Sequence, residues 1–188
     1  MKKHFFLCGK NELLQKELGF SLSAAGGYVI RRVNAPGEAA KAVLMPAAAA
    51  GGVEGFACPV VLDLSNVARP KDNEVFRTEA VRIMQEAAWY PFAVLDPIGG
   101  FELVIPQYRD ALAELLSSDL PILGSVLSRE EAAALGASLG LGERFLMLVD
   151  RLHDALREDA DTCVLDLGKT DTDAALKMLR QWMREYIF

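Results

Sequence analysis

Cysteine is scarce: Cys8, Cys58 and Cys163 stand far apart in 188 residues and form no C-x-x-C pair. A disulfide framework and a cysteine-ligated zinc site are therefore not suggested. Histidine is scarcer still, and His4 and His153 fall in unrelated segments with no ligand spacing. His153, next to Asp154, reads most simply as part of a solvated helix face. Long apolar runs are missing as well, since Arg, Lys, Asp or Glu breaks every one before the ~18 residues that a membrane span requires. Lys2 and Lys3 followed by His4–Cys8 imitate the opening of a signal peptide, but the apolar stretch stops at Gly9. That is shorter than the roughly 7–15 residues of a signal core, so a first strand in a reduced, cytoplasmic protein is expected. Positive charge is in deficit, with 20 Lys and Arg against 26 Asp and Glu and a net charge of −6. Nothing here favours attraction to nucleic acid or to an anionic membrane surface.

What is present is core material. Hydrophobic residues make up 52% of the chain, and its length suits one domain of residues 1–188 that buries a real core. His4–Cys8, Pro59–Asp63, Phe92–Asp96, Pro121–Val126 and Thr162–Leu167 read as short apolar strands. Helical spacing alternates with them. Phe76, Ala80, Ile83, Met84 and Ala87 share one face, as do Tyr108, Leu112, Leu115 and Leu116, and then Phe145, Leu148, Val149, Leu152 and Leu156. Ser128 with Glu131 forms a capping box, and a last helix over 170–186 carries Leu176, Leu179 and Met183, with Ile187 continuing the stripe. A segment at Gly27–Val33 is expected to pair as a hairpin with Lys41–Met45. The Ala/Gly-rich stretch near 46–55 reads as a flexible loop with some helical tendency.

Strands alternating with helices, several apolar throughout, predict an α/β fold with a mostly parallel sheet covered by helices on both faces. Such sheets bind ligands at the carboxyl ends of their strands. Those ends carry Gly9, Asp96, Ser125 and Asp166. Taken alone, Asp96 before Pro97 is what an Asx-capped turn would use, and Gly9-Lys10 is an ordinary turn. Cys8 reads as a buried apolar side chain, Ser125 and Ser128 lack a G-x-S-x-G setting, and Gly140-x-Gly142 follows a helix instead of a strand.

A series of segments comes in a suggestive order: Phe5–Gly9, Gly27-Tyr28, the Phe76 helix, Val94-Leu95-Asp96-Pro97-Ile98-Gly99-Gly100-Phe101-Glu102-Leu103, Tyr108–Leu112 and Leu120–Val126. Over roughly residues 3–127 the chain resembles the small thermophile-type nucleoside-triphosphatase family, a P-loop branch related to nucleotide kinases. The resemblance implies a three-layer P-loop fold, ATP or GTP as ligand, and Mg²⁺ held by Asp96. It also implies a phosphate loop G-x-x-x-x-G-K-S/T beginning at Gly9, with backbone N–H groups and a lysine cradling phosphate and a hydroxyl on the metal.

At that loop the sequence departs from the family. Leu14 stands at the second glycine, Gln15 at the lysine and Lys16 at the hydroxyl. Lys16 is one residue late, which turns a helical side chain by about 100°, and Lys10 is a second cation in the turn. Glu12 adds negative charge where an anion would sit, a repulsion of up to ~4 kcal/mol at 4 Å in a surface-like dielectric. Pro97 replaces the family's water-activating glutamate, while Glu102 matches a later one. No catalytic residue is assigned, and Gly9, Lys10, Lys16, Asp96 and Glu102 are the candidate binding residues. The expected function is a degenerate P-loop domain that has lost hydrolysis and acts in binding, regulation or assembly. The alternative is a nucleoside-triphosphatase or nucleotide kinase-like enzyme with a non-standard loop, and the same crevice could instead take a less anionic small molecule. Trp182, Met183, Tyr186, Ile187 and Phe188 make an apolar end. Packing back on the sheet is its simpler account, and a homo-oligomer or protein contact its sharper one.

Overall fold

The computed structural model describes residues 2–9, 26–35, 38–50, 53–56, 60–63 and 73–188. Lys10, Glu12, Leu14, Gln15 and Lys16, and with them the whole expected phosphate loop beyond Gly9, lie outside the described residues. Five strands run parallel: β1 (His4–Cys8), β2 (Tyr28–Ala35), β6 (Ala93–Ile98), β7 (Ile122–Val126) and β8 (Thr162–Asp166), in the order β2-β6-β7-β1-β8. Three antiparallel strands extend the sheet beyond β2. β3 (Glu38–Ala50) pairs with β2, and β3 also receives β4 (Val53–Phe56) on Ala47–Ala50 and β5 (Val60–Asp63) on Lys41–Leu44.

The antiparallel extension corrects one expectation. Residues 46–50 belong to β3 and Val53–Phe56 is a strand, so the Ala/Gly-rich stretch is neither loop nor helix there. Alanine has little preference for strands, but ladder pairing on both sides overrides a preference that small. The β2–β3 hairpin is the expected one, longer at both ends.

The helices are α1 (Glu74–Ala87), α2 (Pro106–Leu116), α3 (Arg129–Leu139), α4 (Gly142–Glu158) and α5 (Thr172–Tyr186). Their ends follow local chemistry. Pro106 sits at the start of α2, where its missing N–H costs nothing. At α3 the Ser128 and Glu131 side chains cap each other's backbone N–H, and Gly140, at φ 65°, terminates the helix. Asp171 accepts from the Ala174 N–H at the start of α5.

Side chains alternate across the strands, and the two faces have separate cores. Phe6, Cys8, Ile30 and Leu95 pack with α1 to α4, including Phe76, Ile83, Tyr108, Leu112, Phe145 and Val149. Phe5, Leu7, Val94 and Leu123 pack with α5 through Leu179, Trp182 and Met183. Helices thus lie on both faces of the sheet, as the sequence predicts. The apolar C-terminal end folds back as its simpler account requires: Trp182 and Met183 are buried, and Phe188, 73% exposed, is the part left in solvent.

Two histidines behave differently from surface residues. His153 is only 6% exposed, and its Nε2 lies 2.9 Å from the Leu127 carbonyl oxygen, so the solvated-face reading is corrected. The ring bonds the backbone that follows β7, a role that a heptad-like stripe cannot reveal. His4, at the start of β1, is buried with Nδ1 lacking a hydrogen-bond partner among the described residues. Burial lowers its pKa below the ordinary 6.5, with Lys3 acting in the same direction and Asp159 and Asp161 opposing. The unfolded imidazole takes up its proton near 6.5, whereas the folded one resists until lower pH. The stability contributed by neutral His4 is therefore present above 6.5 and lost as pH falls through the folded value. Urea titrations from pH 7.5 to 5 should show stability declining through this window, and His4→Leu should flatten that part of the profile.

Candidate functional site

The carboxyl ends of β1, β2, β6 and β7 converge, and a local irregularity gives them their geometry. The β6–β7 ladder runs in register from Ala93 to Leu95, skips Asp96 and Pro97, and resumes at Ile98 opposite Val126. Pro97 cannot donate to a ladder, and a bulge at such a point re-aims the adjacent side chain. Asp96 is 2% exposed. Its Oδ1 accepts a 2.7 Å hydrogen bond from the Ser125 hydroxyl, and its Oδ2 lies 3.7 Å from the Arg31 Nε. Strand alternation puts Arg31, Asp96 and Ser125 on the sheet face that carries α5.

Gly9 leaves β1 two strands from Asp96, with β7 between them. Its φ is +101°, a conformation that side chains rarely adopt, and a Cβ there would meet nothing within 4 Å. The Gly9 N–H donates to the Val126 carbonyl at 3.2 Å, and the Leu167 N–H donates to the Cys8 carbonyl at 3.1 Å. The carboxyl end of β1 is thus tied to both neighbouring strands.

Glu102 belongs elsewhere. It sits in a 3₁₀ turn (Phe101–Val104), and its Oε1 accepts from the Gly100 N–H at 3.0 Å. Its Oε2 lies 3.6 Å from Arg32 Nε, with both side chains buried. Arg31 and Arg32 are neighbours on β2, so their side chains leave opposite faces of the sheet. One meets Asp96 and the other Glu102. Glu102 is therefore a buried partner that pins the turn after β6 to β2, on the other face from Asp96. Glu102 thereby caps the turn after β6 through the Gly100 N–H. Burial raises the Glu102 carboxyl above its ordinary range, with Arg32 opposing.

The remaining strand-end groups have structural partners. Asp166 Oδ1 accepts from the Gly168 N–H at 3.0 Å, and its Oδ2 pairs with Lys169 Nζ at 3.1 Å. Burial pushes the Cys8 and Cys163 thiols up, away from the thiolate that a nucleophile needs.

Among the described residues no three His, Cys, Asp or Glu side chains cluster tightly enough to hold a metal. Mg²⁺ is commonly held by one or two carboxylates with phosphates and water completing its shell. Asp96 could supply one such ligand, but an approaching cation must displace Arg31 or compete with Ser125. The donor set therefore fits Mg²⁺ only when a ligand's phosphates provide most of the coordination.

Sequence reasoning singled out Asp96, Gly9 and Ser125 but passed over Arg31 and Arg32. The signal was present: of two adjacent charges inside an otherwise apolar strand, alternation turns one inward, and that buried guanidinium, Arg32, requires a partner. Comparison with protein-family models, with curated proteins and with solved structures finds no match. No helix among the described residues is long and apolar enough to cross a membrane.

Proposed function

We propose that this chain is a degenerate P-loop-type domain that binds a nucleotide or similar phosphate-bearing ligand at the carboxyl ends of β1, β6 and β7 and has lost hydrolysis. The observation that carries this reading is the placement of Asp96. It sits at a bulged strand end, bonded to Ser125 and held beside Arg31, next but one to the strand that ends in Gly9. A carboxylate bonded to a hydroxyl at the opening of a parallel sheet suits orientation of a bound group. Arg31 supplies a guanidinium able to pair with phosphate. Catalysis has less support. Pro97 follows Asp96 where a water-activating carboxylate would stand, and the backbone there has no N–H to offer an oxyanion.

The test is a thermal scan with ATP and GTP, with and without Mg²⁺, beside an assay for released phosphate. At nucleotide a hundredfold above Kd the expected stabilisation is about 2.7 kcal/mol, a rise in Tm of roughly 5–11 °C for a chain of this size. Arg31→Ala should diminish the rise, and no phosphate should appear. Mg²⁺-dependent release of phosphate that disappears in Asp96→Ala would replace this reading with a working nucleoside-triphosphatase. No shift with any nucleotide would end it in favour of a less anionic ligand.

A further inference from the structure

A concavity lies on the other face of the sheet, away from Asp96. α2 and α4 each lead back to the amino end of a strand, β7 and β8, so the two helices run in the same direction. α2 packs on α1, and α4 on α3 and β8, while both reach the 3₁₀ turn. Between them remains a groove of about 540 Å³, within the range of small-molecule sites. Its walls are apolar side chains at helical spacing, Leu112 and Leu116 from α2 with Leu148, Leu152 and Leu156 from α4.

Two guanidinium groups interrupt this apolar lining. Arg109 comes from α2 and Arg151 from α4. Arg109 is held in place by donating from Nη1 to the Leu103 carbonyl at 2.6 Å. Arg151 is exposed and has no ion pair among the described residues. At 1.5 Å of rise per residue, Arg109 stands about 10 Å along α2 from Leu116, and Arg151 about 12 Å along α4 from Asp159. Both cations line the same groove, one from each helix. Asp159 lines the opposite end, where it accepts from the Thr162 hydroxyl at 2.5 Å and the Asp161 N–H at 3.1 Å. Its negative charge is thus about two helical turns from Arg151 along α4 and already hydrogen-bonded.

We propose that this groove binds an amphipathic carboxylate, with its head between Arg109 and Arg151 and an unbranched apolar tail lying along Leu112, Leu116, Leu152 and Leu156. The cations select an anionic head, and the leucine walls between the two ends select an apolar tail over a polar one. The occupied length of about 10 Å suits a medium chain, and the Asp159 end disfavours a second anionic group.

Isothermal titration with decanoate tests this, with decanol as the uncharged comparison. Saturable one-to-one decanoate binding is expected, at least tenfold tighter than decanol. Arg151→Glu should weaken it at least tenfold, and Ala155→Trp, which fills the groove from an exposed position, should abolish it. Neither residue is in the sheet core, and melting without ligand should be unchanged. If Ala155→Trp does not fold, Arg151→Glu alone decides. Absence of saturable decanoate binding, equal binding of decanol, or indifference to Arg151→Glu would each overturn the proposal. A dimer that Ala155→Trp dissociates, in a protein that ignores decanoate, would overturn it too and give the groove to a second copy of the chain.

Discussion

Glu102→Ala will destabilise the fold by about 3–5 kcal/mol, the usual consequence of removing one partner from a buried ion pair. For a chain of this length that corresponds to a fall in Tm of roughly 6–20 °C. Glu102 is 1% exposed, and its loss leaves the buried Arg32 guanidinium without this carboxylate and the Gly100 N–H without its acceptor. Glu102→Gln separates the two contributions. It keeps the shape and the bond to Gly100, and burial already disfavours the charged carboxylate, so it should cost less than half as much as alanine. Gly100 belongs to the same arrangement, because a Cβ there would lie 2.5 Å from Glu102 Oε2 and 2.8 Å from Arg32 Cζ. Chemical denaturation of the two Glu102 variants checks the claim. Equal stability of the alanine variant and the parent would mean that the pair contributes nothing to holding the turn.

Trp182→Ala is expected to be comparably severe, at about 3–5 kcal/mol. The ring is fully buried between α5 and the sheet, 6.4 Å from Phe5 and 5.1 Å from Tyr186 by ring centroids. Its indole N–H donates to the carbonyls of Lys2 and Lys3 at 3.1 and 3.2 Å, tying the last helix to the start of β1. Trp182→Phe keeps most of the apolar volume and loses this donor. Its smaller cost should include about 1 kcal/mol for the hydrogen bond. Fluorescence offers a direct reading, since Trp89, the other tryptophan, is 84% exposed. The blue-shifted emission of the parent should come from Trp182 and vanish in both variants. A Trp182→Ala protein as stable as the parent would mean that α5 is held mainly by Leu179 and Met183.

Both predictions concern contacts between segments far apart in the chain, and that separation marks the limit of what the sequence reveals. Local patterns were legible. The apolar runs at His4–Cys8 and Ile122–Val126, the stripe through Phe145, Val149 and Leu156, and the Ser128–Glu131 capping box each declare their element through neighbours a few residues away. The position of Asp96 at a strand end was legible for the same reason. Its partners were not. The bulge that aims it at Ser125 depends on how β6 and β7 pair, and Arg31 reaches it only because β2 lies beside β6. His153 shows the same limit, since its backbone partner, Leu127, is 26 residues away.

The sequence by itself determined an α/β domain with acidic balance, apolar parallel strands, and Gly9 and Asp96 at their ends, because periodicity, capping and composition act over a turn or two of chain. The tertiary structure alone decided which of two adjacent arginines meets Asp96 and which meets Glu102, that the alanine-rich stretch joins a ladder, and that α2 and α4 leave a cationic groove between them. Those outcomes follow from strand order and from the burial of charge, which requires a partner wherever the fold brings one within reach.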